Sequence, residues 1–192
     1  MEPRLAQAQA GKRAVFFVDA AHFVFGAFLC TLWSFVRVWI KAPSGRQRFN
    51  VLGAINAVTK EVITITNTAY INAQSVCELL LKINALNLAI PITLVLDNAR
   101  YQRCAAVEAI AQNLNIELLF LPPYSPNLNL IERLWKFIKK QCLYAKYYPN
   151  FETFTSAINT CLQETQTTYR QSLDSLLTLN FQTFDDAVVV TV

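Results

Sequence analysis

Two apolar runs of the sequence stop at an aspartate. "AVFFVDAAHF", from Ala14 to Phe23, reaches Asp19, and "ITLVLDNARYQRC", from Ile92 to Cys104, reaches Asp97. A charge closing a buried strand needs a reason. Asp97 could cap a following helix, but Asn98 would do so equally well. Asp19 precedes "AAHF", which is a weak helix start. A third acid, Glu132, lies in "LPPYSPNLNLIERLWKFIKK", Leu121 to Lys140. There Asn129 and Glu132 have the spacing of a capping box, and Glu132 stands four residues before Lys136, a stabilising helical pair. On helical angles Ile131, Leu134, Trp135 and Ile138 form one apolar stripe, with Glu132 at its border beside Lys136 and Lys139. Three carboxylates without histidine or cysteine partners suit hard, oxygen-binding cations, Mg²⁺ or Mn²⁺. Two such ions about 3.5–4 Å apart can activate the attacking oxygen and stabilise the leaving one in phosphoryl transfer. Nearby lysines and arginines would hold a nucleic-acid backbone.

Several elements must bring these acids together. Ala14 to Asp19 reads as a strand buried on both faces. Phe25 to Ile40, where Trp33, Phe35 and Arg37 alternate with other residues, reads as a second strand. Lys41 to Arg48 is a Pro- and Gly-containing turn. Phe49 to Val58 and Glu61 to Thr66 read as strands joined near Thr59 and Lys60, completing an antiparallel meander. The period then changes. Val76, Leu79, Leu80 and Ile83 predict a helix over 72–86. A buried strand follows at Ile92 to Leu96, a helix at Tyr101 to Leu114, a strand at Ile116 to Leu121 and a rigid loop at Pro122 to Asn127. Helices at Leu130 to Leu143 and Phe154 to Thr168 come last. Antiparallel strands followed by βαβ units predict a mixed sheet with helices on both faces, an α/β architecture. The crossover from Ile92 to Leu121 should be right-handed. If the strands of Asp19 and Asp97 lie side by side and parallel, both carboxylates emerge at one sheet edge.

The chain has 192 residues, 54% hydrophobic and 16% charged, which suits a globular domain rather than a disordered segment. Its net charge of +4 is uneven: residues 1–60 carry eight Lys or Arg against two acids. Arg133 to Lys146 adds five basic residues and no acid, a pattern that suits a polyanion. Five scattered cysteines without zinc spacing read as reduced thiols of a cytoplasmic protein. Ala14 to Ile40 is apolar enough to suggest a membrane span, but Asp19, His22 and Arg37 would be costly in lipid. The opening "MEPRLAQAQAGKR" is polar and reads as a loose N-terminal arm or helix end, 1–13.

Further residues have a structural and a functional reading. His22, the lone histidine, is either a structural side chain near a strand end or a support for the Asp19 site. Asn98 either orients Asp97 or caps the next helix. Arg100 and Arg103, placed in a first helical turn that disfavours positive charge, could face phosphate. Arg46 and Arg48 flank the turn and could grip DNA. Lys136, Lys139 and Lys140 share a helix with Glu132 and are phosphate-binding candidates. Tyr124 and the tryptophans Trp33, Trp39 and Trp135 read as core.

"VFFVDAAHF", "ITLVLDNARYQRC" and "LPPYSPNLNLIERLWKFIKK" together resemble the signature blocks of DDE transposases of the Tc/mariner superfamily, in its bacterial insertion-sequence branch. The 34 residues between Asp97 and Glu132 match the spacing of that group, and "APSGRQRFNVLGAINAV" is also similar to it. The resemblance implies a ribonuclease H-like fold over 14–184, with a mixed five-stranded sheet flanked by helices. It implies Asp19, Asp97 and Glu132 as a catalytic triad holding Mg²⁺ or Mn²⁺, two ions in all. The implied chemistry is metal-dependent hydrolysis at transposon DNA ends, then attack of the freed 3′ hydroxyl on target DNA, usually at a TA step. Double-stranded DNA is the implied partner, with the chain acting as a homodimer. The family's end-reading helix-turn-helix is missing before Asp19. That leads to the expectation of a separately encoded part, or of a truncated copy that binds DNA and inhibits an intact transposase. Residues 185–192 read as a tail.

Overall fold

The computed structural model describes residues 1–26, 35–36, 47–123 and 125–181. The strand expected over Phe25 to Ile40 and the turn at Lys41 to Arg48 fall mostly outside these residues. Cys30, Trp33, Trp39, Arg46, Tyr124 and the 185–192 tail fall wholly outside.

Eleven elements are described: α1 Glu2–Gln9, β1 Ala14–Val24, β2 Arg48–Asn56, β3 Val62–Asn67, α2 Ala73–Asn84, β4 Ile92–Leu96, α3 Ala105–Asn113, β5 Ile116–Phe120, α4 Ile131–Cys142, α5 Phe151–Gln163 and α6 Arg170–Leu176. The strands form one mixed sheet in the order β3-β2-β1-β4-β5. β1–β2 and β2–β3 pair antiparallel, while β1–β4 and β4–β5 pair parallel. Asn56, whose Oδ1 accepts from the backbone N–H groups of Val58 and Thr59, makes the β2–β3 turn. Lys60 completes that turn at φ 60°.

Alternation along β1 feeds two cores. Val15, Phe17, Ala21 and Phe23 join α1, α4, α5 and α6 on one face. Ala14, Phe16 and Val18 join α2 and α3 on the other. The helical stripe of α2 is buried as its spacing predicts, and Asn72 and Ser75 form its capping box. Because β1 and β4 are covered on both faces, their sequences are continuous apolar runs.

Three expectations are corrected. β1 does not end at Asp19: its antiparallel ladder with β2 continues to the pair Val24–Arg48. The acid therefore sits within a strand whose parallel partner stops first. Residues 1–13 are no loose arm. α1 buries Leu5 and Ala8, and Glu117 of β5 accepts from Arg4 Nη2 at 2.6 Å, from Arg13 Nη1 at 2.9 Å and from Thr93 Oγ1 at 2.7 Å. The helix expected from Tyr101 begins only at Ala105, because Asn98 turns the chain at φ 79° and residues 100–104 form turns and bends. Among the described residues no helix is long and apolar enough to cross a membrane. Cys77, Cys104, Cys142 and Cys161 are free thiols.

Candidate active site

Parallel pairing sets the first two acids. β1 and β4 keep one register from Ala14–Ile92 to Phe17–Val95. Continued by two residues, that register puts Asp19 beside Asp97 at the point where β4 ends. Leu121 N–H donates to Leu96 O, so the chain after β5 leaves the sheet at the same edge. It then runs through a single 3-10 turn at Pro126–Leu128 into α4, which brings Glu132 over the sheet.

The capping box expected at the start of α4 is not formed. Leu130 is the N-cap and makes no side-chain cap bond. The Asn129 side chain is spent elsewhere: its Nδ2 donates 3.1 Å to Val18 O, the carbonyl just before Asp19. Asn129 O accepts from Glu132 N–H at 3.2 Å. One buried asparagine thus ties the strand of the first acid to the helix of the third. Asp97, Asn129 and Glu132 line a single cavity of about 150 Å³ together with Ser125 and Pro126.

Electrostatics records the proximity of the acids. Burial, then the neighbouring Glu132 and Asp97 carboxylates, push the Asp19 carboxyl up to about 7, against the backbone bond of Ala20 and the Trp135 bond, which lower it. Trp135 Nε1–H donates 3.0 Å to Asp19 Oδ2. Its ring is 2% exposed and meets Phe23 edge-on at 6.4 Å. It lies so close to Gly53, the β2 partner of Asp19, that a Cβ there would stand 2.7 Å from Cη2. The Tyr101 hydroxyl is pushed up to about 12 by burial and by Asp97 and Asp19, so it remains a donor beside them. Asp97 itself is exposed and its Oδ1 accepts from Ala99 N–H at 3.3 Å, an Asx turn.

The other candidate residues divide. Asn98 does not cap α3, whose N-cap is Cys104. Its Oδ1 accepts from Arg103 Nη1 at 2.9 Å and its Nδ2 donates to Leu121 O at 3.4 Å, bracing the loop after Asp97 against the chain after β5. Arg103 lies over the Phe120 ring at 5.0 Å and is exposed, as is Arg100. Both precede α3, so the expected clash with its dipole does not arise. His22 falls on the opposite sheet face from Asp19, since strand side chains alternate. Its Nδ1 bonds Asn50 Oδ1 at 2.7 Å. Arg48 pairs with Val24, about 17 Å of strand beyond Asp19. Lys136, Lys139 and Lys140 lie on α4, the first and last of them exposed. Lys136 and Lys140 line a cleft with Arg133, Ser172 and Ser175. Sequence reasoning assigned Trp135 to the core and saw in Asn129 only a cap. The signal for both was their distance in sequence from Glu132, three residues on either side, one helical turn.

The donor set is entirely hard oxygen and carries like charge, which adds to burial in raising the proton affinity of Asp19. These residues fit Mg²⁺ or Mn²⁺. Among the described residues, however, no three His, Cys, Asp or Glu side chains are gathered closely enough to hold an ion. Like charges without a cation repel, and the exposed Asp97 is free to stand apart.

The family model described as DDE superfamily endonuclease matches residues 35–155. The chain belongs to the DDE superfamily endonucleases. No curated protein matches it. Among solved structures, this DDE endonuclease domain resembles the chain in the Mos1 strand transfer complex, at TM-score 0.63 and 14% identity, with 96% of this chain and 60% of that one covered. A Mos1 mariner paired-end complex with Mn gives TM-score 0.62 at 14% identity over 96% and 61%. The catalytic core domain of BIV integrase gives TM-score 0.53 at 17% identity over 84% and 94%. These likenesses show the fold, that of ribonuclease H-like cores. The chain spans about three fifths of the Mos1 chains it matches. The family match begins after Asp19 and takes in Asp97 and Glu132.

Proposed function

We propose that this DDE endonuclease domain is the catalytic part of a transposase of the Tc/mariner superfamily, in its bacterial insertion-sequence branch, and that Asp19, Asp97 and Glu132 are its catalytic acids. The observation that carries this reading is the convergence of three acids: the β1–β4 register sets Asp19 beside Asp97, α4 brings Glu132 into the cavity that Asp97 lines, and both raise the proton affinity of the buried Asp19. A structural acid would be paired with a base, and this one is surrounded by acids. The three would hold Mg²⁺ or Mn²⁺, which when bound activates the attacking oxygen and neutralises charge at the leaving one.

The chain's own residues supply the rest. Trp135 Nε1–H holds Asp19 Oδ2 in place. Tyr101 keeps a hydroxyl proton beside the acids. Lys136, Lys139 and Lys140 run along α4 from Glu132 and hold the DNA backbone, together with Arg46, Arg48, Arg100 and Arg103. In the first step a water oxygen bonds to phosphorus and the bond to the 3′ oxygen breaks, leaving a 3′ hydroxyl and a 5′ phosphate. In the second that hydroxyl bonds to a target phosphorus, at a TA step, and displaces a target 3′ oxygen. No covalent link to the protein forms. Double-stranded DNA is the substrate, and two copies of the chain act on paired ends.

The test is Mn²⁺ titration by calorimetry on the wild-type chain and on Asp97→Ala. Saturable binding lost in the variant is expected. Equal or absent binding in both would remove the triad and leave a DNA-binding remnant as the reading. Asp97→Asn should also abolish strand cleavage while leaving thermal unfolding unchanged.

A further inference from the structure

We infer that Asn129 is a positioning residue of this site, its Oδ1 accepting a hydrogen bond from a water that hydrates the cation held by Asp97 and Glu132. The inference rests on the metal-binding reading above. Asn129 is 3% exposed and lines the cavity shared with those two acids. Its amide cannot turn over, because Nδ2 donates to Val18 O and a flip would set oxygen against oxygen. The orientation that this bond imposes leaves Oδ1 buried with no hydrogen-bond partner among the described residues. A buried acceptor without a partner is costly, so a native site retains one where something occupies it. The cavity of about 150 Å³ has room for water. Small hard cations keep several waters when bound through one or two carboxylates, and those waters need acceptors.

The two ends of the amide can be separated by experiment. Asn129→Leu keeps the volume and removes both ends. Asn129→Asp keeps an oxygen for the water and removes the donor to Val18. Mn²⁺ affinity is measured by calorimetry, and the unfolding temperature of the metal-free chain is measured alongside, for the wild type, both variants and Asp97→Ala. Asn129→Leu should bind Mn²⁺ about 10–100-fold more weakly than wild type, the usual effect of losing a partner behind a metal's ligands. Asn129→Asp should melt earlier without metal yet bind Mn²⁺ at least as tightly as wild type. If Asn129→Leu keeps wild-type affinity, or both variants lose it equally, Asn129 is only a tie between β1 and α4 and the inference is overturned. Should the leucine variant not fold, Asn129→Asp decides alone: retained affinity despite earlier melting supports the role, and lost affinity overturns it. Absent Mn²⁺ binding in wild type and Asp97→Ala alike would overturn the triad and this inference together, whereas a triad that binds with an indifferent Asn129 overturns only the latter.

Discussion

Asp19 carries the most informative charge in the molecule. Burial first, and Glu132 next, raise its carboxyl from 3.8 to about 7. A raised acid binds its proton more tightly folded than unfolded, so without metal the fold loses stability as pH rises from about 4 to about 7 and levels off above. The span corresponds to on the order of 4 kcal/mol as an upper figure. Asp19→Asn, which retains an oxygen to accept from Trp135, should therefore raise the metal-free unfolding temperature by several degrees at mildly alkaline pH and leave it nearly unchanged below pH 4. An unaltered pH profile would mean that Asp19 is not the buried acid responsible. Metal reverses the sign. Mn²⁺ must displace that proton, so its affinity for wild type should fall about tenfold for each pH unit below 7. Calorimetry in buffers of different ionisation enthalpy would count the proton released.

The elements explain why the acid is where it is, and which parts could be read in advance. β4 and α2 were legible because buried strands and amphipathic helices state their period directly: Val76, Leu79, Leu80 and Ile83 are all buried. Asp19 and Asp97 stood out as charges closing apolar runs, whereas Glu132 was marked only by its place at the border of a helical stripe. The far half of β1 was not, because Asp19 looks like a stop, and only the long antiparallel ladder with β2 carries the strand past it. The α3 start was misplaced because "ARYQRC" has no breaker, while the left-handed turn at Asn98 is set by its bonds to Arg103 and Leu121. Trp135 is core, as its position predicts, but its indole N–H partner is 116 residues away and leaves no local signal. Gly53 belongs to the same arrangement. β2 has no side chain opposite Asp19, and the Trp135 ring takes that space. Gly53→Ala should therefore cost about 1–3 kcal/mol by overpacking and also loosen the indole from the carboxylate. Trp135→Phe should keep most of the packing but remove the donor, raising the proton affinity of Asp19 further. Both variants should shift the pH below which Mn²⁺ binding is lost upward. A loss of stability without that shift would confine Trp135 to packing.

At the scale of the molecule the sheet separates two tasks. One face, under α2 and α3, is a closed core. The other carries α4, whose buried stripe anchors it and whose exposed side runs from Glu132 to Lys140. The cleft between α4 and α6 continues that side, with Arg133, Lys136 and Lys140 on its walls. Arg133 is already engaged, donating to Thr178 O at 2.8 Å and Asn180 O at 2.7 Å, so it holds the segment after α6 against α4. The exposed lysines are therefore the groups available to a phosphate backbone. If DNA follows this face, log Kd for duplex DNA should vary linearly with log salt, and the double variant Lys136→Ala with Lys140→Ala should lower the slope by about 2. The weakening should be uniform across DNA sequences, because phosphate contacts position a duplex without reading it. It should also be independent of Mn²⁺, since neither lysine belongs to the acid cluster. An unchanged slope would move the DNA path off α4 and towards Arg100 and Arg103, and a loss seen only with metal present would tie these lysines to the acids instead.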